Sequence, residues 1–325
     1  MRRVVYVLGS VGIASALLIV AGFAYVARAY PNVKTPVIVV PETAEAADRG
    51  RYLVEHVAAC ARCHAVRDWS VYGAPPLPDT HLAGGGEFGE DDGVRGRVVA
   101  GNLTPKALGD WSDGEVARAL VAGVDRDGTA LHPVASRYPY YANLCREDLA
   151  AILAYLRSLP PKPSPVGSGD PPGLRFPESI LFNLIPRDYG APDCPDADDL
   201  PARGEYLAVL GGCLDCHTPG VADVPGSRPD PTRRLAGGRV FRTPDGLARS
   251  ANITRHPETG LGDWDEARFV GAFAEFRDAL PEREGQTPMP WSAYAGMTDA
   301  DLRALWTYLD RQPVVRNDVS AWTPD

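Results

Sequence analysis

The sequence predicts a mainly α-helical protein, with two tandem modules behind an N-terminal transmembrane helix. Three observations carry this expectation. A long uncharged stretch opens the chain, an internal repeat recurs at an almost constant offset of 153 residues, and apolar residues fall at helical spacing where the repeats close. The length of 325 residues accommodates two units, since domains run to about 150 residues. A composition of 45% apolar and 23% charged residues excludes a wholly disordered chain and a polytopic membrane protein. Thirty-three Gly and 31 Pro assign much of the chain to loops and turns. The formal charge of −9 argues against nucleic acid as a partner. An acidic surface suits basic proteins, although solubility alone also explains it.

The amino terminus sets the compartment. Met1-Arg2-Arg3 precedes Val4 to Ala27, which carry no charge. At roughly 1.5 Å per helical residue, such a stretch crosses a bilayer. Arg2 and Arg3 hold its amino end in the cytoplasm and send the remainder outward. A cleaved signal peptide is the competing reading, because Ala27-Arg28-Ala29 resembles a cleavage site. Signal peptides use apolar cores of about 7–15 residues, far shorter than this one, which favours a retained anchor in the cytoplasmic (inner) membrane. Both readings place the bulk of the chain in the periplasm.

The repeat then organises the chain. Cys60-Ala61-Arg62-Cys63-His64 corresponds to Cys213-Leu214-Asp215-Cys216-His217, and Leu82-Ala83-Gly84-Gly85 to Leu235-Ala236-Gly237-Gly238. Asn102-Leu103-Thr104 corresponds to Asn252-Ile253-Thr254, Gly109-Asp110-Trp111 to Gly262-Asp263-Trp264, and Tyr141 to Tyr294. Each module is expected to open with a helix running into its Cys pair, from Arg49-Gly50-Arg51-Tyr52-Leu53 and from Arg203-Gly204-Glu205-Tyr206-Leu207. Each closes with a helix, from about Arg146 to Ser158 and from Asp299 to Arg311, on the spacing of Leu149, Ile152, Leu153 and Leu156 and of Leu302, Leu305, Trp306 and Leu309. Thr298 followed by Asp301 is an N-cap signature for the last helix. Turns and short strands are expected between the glycine pairs and the tryptophans.

The resulting division is 1–29 anchor or signal, 30–47 linker, 48–160 first domain, 161–198 a Pro/Gly-rich then acidic linker, 199–315 second domain and 316–325 tail. Within the long linker, Phe176 to Ile185 reads as a short apolar helix packed between modules.

The chemistry lies in the two C-x-x-C-H strings, the attachment signature of c-type haem. On one helical turn the two thiols reach the two vinyl groups of a porphyrin edge, and the adjacent His falls beneath the iron as its proximal ligand. Cys60, Cys63 and His64 and Cys213, Cys216 and His217 therefore predict two covalently bound haem c groups, with His64 and His217 on the irons. Zinc would require four clustered ligands, which neither module offers.

The sixth ligands differ. Apart from Met1, the chain has Met289 and Met297. Pro288-Met289-Pro290-Trp291 is a rigid loop before the closing helix, so Met289 is the expected distal ligand of the second iron and Met297 a core residue. The Met289 position corresponds to Ser136 in the first module. His132 is the most economical replacement; His56, His81 or an open iron are the alternatives. Cys145, at the N-cap position of its closing helix, and Cys194 are expected to form a disulfide, with two free buried thiols as the alternative. Trp111 and Trp264 are expected near the haem edges. The two Asn-x-Thr strings match glycosylation sequons, but their repeated position marks a structural loop.

On the strings R-G-x-Y-L, C-x-x-C-H, A-G-G, N-[LI]-T, G-D-W and P-M-P, the chain resembles the cytochrome c subunits of membrane-bound quinoprotein and flavoprotein dehydrogenases, and related exported dihaem cytochromes c. The resemblance covers about residues 48 to 313. It implies small class I-like cytochrome c domains and single-electron relay between a periplasmic or membrane donor and an acceptor of a respiratory chain. The partners it implies are a dehydrogenase, a quinol-oxidising complex or a terminal oxidase, with membership of a larger complex left open. Such dehydrogenase subunits typically carry three haem sites, whereas this chain has two motifs. The alternative function is a haem enzyme with an open first iron, reducing peroxide or transforming a small sulfur or nitrogen compound.

Overall fold

The computed structural model describes residues 2–165, 177–220 and 229–324. Helix α1 (Arg2–Ala29) contains the apolar stretch, and its segment Ser10–Ala29 is long and apolar enough to cross a membrane. Helix α2 (Ala44–Tyr52) begins earlier than the repeat suggested, because Thr43 caps it by accepting from the Ala46 amide.

The first half continues through a two-stranded antiparallel ladder, β1 (Glu87–Phe88) with β2 (Val98–Val99). Then come α3 (Pro105–Leu108), α4 (Asp113–Ala122), α5 (Pro133–Ser136), α6 (Tyr138–Tyr141) and α7 (Arg146–Ser158). Helix α4 was not anticipated, although its signals are local. Ser112 and Glu115 form a reciprocal capping box, and Gly123 ends the helix in the left-handed conformation.

Short helix α8 (Glu178–Leu181) and the 3₁₀ turn Phe182–Leu184 pack against α1. The expected apolar helix therefore forms in part, and it packs against the N-terminal helix and, through Phe182, against His132 of the first half; Phe176 lies outside the described residues. The stretches of the 161–198 linker at 166–176 likewise lie outside them.

The second half comprises α9 (Leu200–Gly211), α10 (Cys213–His217), β3 (Val240–Thr243), β4 (Gly246–Arg249), α11 (Glu266–Ala274), α12 (Trp291–Tyr294) and α13 (Asp299–Asp310). The expected tail contributes β5 (Trp322–Pro324), so the sheet order is β3-β4-β5.

Packing repeats as the sequence does. Helix α2 crosses α7, and α9 crosses α13. Both crossings are close enough to require glycine. A β-carbon on Gly50 would stand 1.9 Å from the Ala151 carbonyl oxygen, and one on Gly204 would stand 2.0 Å from that of Ala304. This explains the R-G-x-Y-L string. Its arginines bind the closing helices, Arg49 to Asp148 at 2.8 Å and Arg203 to Asp301 at 2.5 Å.

Its tyrosines reach across to the other half. Tyr52 donates to Asp301 at 2.5 Å and Tyr206 to Asp148 at 2.8 Å. Each buried aspartate thus receives an arginine from its own half and a tyrosine from the other. That satisfies carboxylates that are only 5% and 1% exposed.

The two copies differ by one residue between this string and the Cys pair. Eleven positions separate Arg49 from Cys60, and ten separate Arg203 from Cys213. The extra residue is taken up by a π-helical turn, Leu53–Val57, that follows α2.

Candidate haem-binding sites

Neither Cys pair continues the helix before it, contrary to the expectation of an unbroken helix. Ala59 (φ +49°) and Gly212 (φ +77°) take the left-handed conformation immediately before Cys60 and Cys213. The chain then turns and restarts, as a 3₁₀ turn at Cys60–Arg62 and as α10 in the second half. Glycine adopts this conformation freely, whereas alanine does so at a cost of about 1–2 kcal/mol.

Each motif histidine is oriented by one backbone carbonyl. His64 Nδ1 donates to Gly101 O at 2.7 Å, and His217 Nδ1 donates to Ala251 O at 2.8 Å. A carbonyl only accepts, so Nδ1 carries the proton and Nε2 keeps its lone pair for a metal. Burial holds the pKa of both imidazoles below the ordinary value, against the opposing pull of these hydrogen bonds, and so favours the neutral, ligating form.

The accepting carbonyls are held in turn by the N-[LI]-T strings. Asn102 accepts from the Thr104 amide at 2.8 Å and donates to Lys162 O at 2.7 Å. Asn252 accepts from the Thr254 amide at 3.0 Å and donates to Val315 O at 2.8 Å. Both asparagines are buried, so the strings are structural loops rather than exposed sequons.

The A-G-G string completes the cradle. Gly84 N donates to His64 O at 2.9 Å, and Gly237 N to His217 O at 2.7 Å. The glycine at 237 has no room for a side chain, since a β-carbon would meet Ala251 O at 2.3 Å. Three separated motifs thus assemble around each histidine. The role of Gly101, Ala251 and the two asparagines was missed in the sequence, where only their recurrence is visible.

Burial pushes the thiols of Cys60 and Cys213 up to about 12, so both are neutral in the polypeptide. An apolar cavity lies at Cys60, lined by Leu53, Val57, Leu120, Tyr141 and Ile152. Paired thiols and neutral imidazoles whose Nε2 keeps its lone pair form a donor set that fits covalently attached haem in both halves.

The candidate distal residues are placed differently from one another. Met289 is half-buried against the core, with its amide bonded to Thr287 Oγ1 at 3.2 Å and its carbonyl accepting from Trp291 N at 2.9 Å. Trp291 anchors this loop by stacking on Phe276 at 4.6 Å. Met297 is a core residue, 4% exposed, as expected.

His132 is buried. Its Nδ1 faces the Ala135 amide at 3.3 Å and its ring meets Phe182 edge-on at 4.8 Å. Ser136, at the position corresponding to Met289, bonds the His132 carbonyl through its hydroxyl at 2.6 Å. His81 pairs with Glu55 at 2.8 Å, and His56 bonds Ala293 O at 3.0 Å. Trp111 and Trp264 pack on the core, Trp264 beneath Arg268. Cys145 and Cys194 are bonded to each other in a disulfide that ties the start of α7 to the acidic segment before α9.

The two Cys pairs come together. Arg62 Nη1 stands 3.7 Å from Cys216 Sγ. Residues 47–160 match the cytochrome c family. A dihaem cytochrome c-type protein of Cereibacter sphaeroides is 30% identical over 92% of this chain and 97% of its own length. The chain belongs to the c-type cytochromes. Membership implies covalently attached haem c. This cytochrome is also similar to the fructose dehydrogenase cytochrome subunit of Gluconobacter japonicus, 30% identical over 88% of the chain and 56% of that protein. It resembles the cytochrome c subunit of the quinone-dependent alcohol dehydrogenase of Gluconacetobacter polyoxogenes as well, at 28% identity over 85% of the chain and 58% of that protein. The chain therefore spans a little over half the length of these two subunits.

Proposed function

We propose that this cytochrome is a membrane-anchored dihaem electron carrier in which each half, 48–160 and 199–315, is a class I-like cytochrome c domain holding one haem. It relays single electrons on the periplasmic side between a dehydrogenase or other membrane donor and a respiratory acceptor. The observation that carries this reading is the repeated cradle, in which a Cys pair is followed by a His bonded to one backbone carbonyl in both halves, the two motifs lying side by side. The apolar segment Ser10–Ala29 supports the anchor, and a disulfide suits an oxidising compartment.

A haem bound at each site supplies an iron that takes up and releases one electron. The protein's part is to fix it. Cys60 and Cys63, and Cys213 and Cys216, would each attach a haem, to whose iron His64 and His217 would present Nε2 in a fixed tautomer. Met289 would supply the second protein ligand to an iron held at the second site, and His132 to one held at the first. A thioether favours the reduced iron more than an imidazole does, so the first site has the lower potential. Electrons then pass from the first site to the second. Kinship with dehydrogenase subunits supports a dehydrogenase as donor.

A redox titration of the haem-loaded protein should show two steps. Met289→His should lower the higher step and leave the lower one; movement of the lower step alone would reverse the assigned order. Carbon monoxide added to the reduced protein separates carrier from enzyme. No binding is expected of two six-coordinate irons, whereas binding by half the haem at the first site would replace the carrier reading with an open-iron enzyme.

A further inference from the structure

A buried arginine lies between the two motifs. Arg137 is 8% exposed, and its Nε and Nη2 make no hydrogen bond among the described residues. Its backbone is left-handed at φ +55°, which turns the side chain inward immediately before α6. The guanidinium rests on Gly212, the residue preceding Cys213; a β-carbon there would stand 2.1 Å from Nη2. Tyr140 and Tyr141 flank it, with ring centres 5.5 and 5.8 Å away. Tyr141 also lines the cavity at Cys60, so the guanidinium lies close to both motifs.

The surroundings carry an excess of positive charge. Arg62 and Asp215 occupy the same position in the two motifs, between the cysteines, and carry opposite charges. Arg239 binds Asp215 at 2.8 Å, and Tyr140 donates to the same carboxylate at 3.3 Å. Arg62, Arg137 and Arg239 thus gather beside both Cys pairs, where Asp215 is paired with Arg239.

Resting on the reading that each half holds one haem, we propose that Arg137 is a shared positioning charge that raises the reduction potentials of both sites together, with Asp215 acting in the opposite sense. A fixed cation near an iron destabilises its more positive, oxidised state, and the effect is strong where water is excluded. Because a guanidinium stays protonated at any working pH, the bias is permanent.

The test is a redox titration of haem-loaded Arg137→Gln, Arg137→Lys and Asp215→Asn, with haem content counted in each. Arg137→Gln should move both steps down, Arg137→Lys should restore most of the shift, and Asp215→Asn should move both steps up. The opposite sign for Asp215→Asn keeps the test decisive if Arg137→Gln does not load haem. Two haems with unmoved potentials, a shift of one step alone, or Lys behaving as Gln would overturn the shared-charge role and leave the carrier reading intact. A content of one haem per chain would overturn both.

Discussion

At the scale of single residues, the site is made by groups that look ordinary in a sequence. An imidazole is held in one tautomer by one carbonyl, and the residue after that carbonyl is an asparagine whose side chain is fully engaged. Glu55 shows how charge is managed close by. Burial acts to raise its pKa, yet hydrogen bonds from His81 at 2.9 Å and Tyr155 at 2.7 Å outweigh it and hold the carboxyl below its ordinary value. A depressed carboxyl stabilises the fold above its unfolded pKa of about 4.3, and that stability drains away as pH falls through the lower folded value. Glu55→Gln should therefore be less stable than the parent near neutrality, with the difference shrinking in acid. Urea unfolding across a pH series reads this directly. Parallel profiles for the two proteins would show that the pair contributes nothing to stability.

At the scale of elements, the repeat explains what the sequence made legible. The closing helices appeared where their leucine spacing placed them, with α7 at Arg146–Ser158 and α13 at Asp299–Asp310. The Thr298 cap formed as read, accepting from the Asp301 amide at 3.2 Å. The breaks before the Cys pairs were not legible, because Ala59 gives no local sign of a left-handed backbone. Nor was the π-helical turn, although the one-residue difference between copies was its trace. The long-range tyrosine–aspartate exchange lay beyond any local pattern, since its partners are far apart in sequence.

The helix crossings make a clear prediction at this scale. Gly204→Ala drives a methyl group into the Ala304 carbonyl and should cost about 1–3 kcal/mol, as overpacking does. Gly271, in α11, has nothing within 4 Å of its added β-carbon. Gly271→Ala should therefore stabilise the protein by about 0.4–1 kcal/mol. Denaturant midpoints compare the two, and equal effects would mean that the crossing yields without strain.

At the scale of the whole molecule, the two halves exchange side chains in a reciprocal way. Tyr52 reaches Asp301 and Tyr206 reaches Asp148, while the motif positions Arg62 and Asp215 carry opposite charges where the halves meet. The sequence showed a duplication; it did not show that the copies face each other through their Cys pairs. That arrangement sets the two motifs side by side, with Arg137 buried against Gly212 beside them. The anchor, the carrier role and the dehydrogenase partner all depend on a more basic claim, that both motifs are loaded.

The most direct test of that claim is the mass of the two motif peptides after digestion of the haem-loaded, denatured protein. One haem should be covalently attached to the peptide containing Cys60 and Cys63, and one to the peptide containing Cys213 and Cys216. A motif peptide recovered with free thiols and no haem would contradict it.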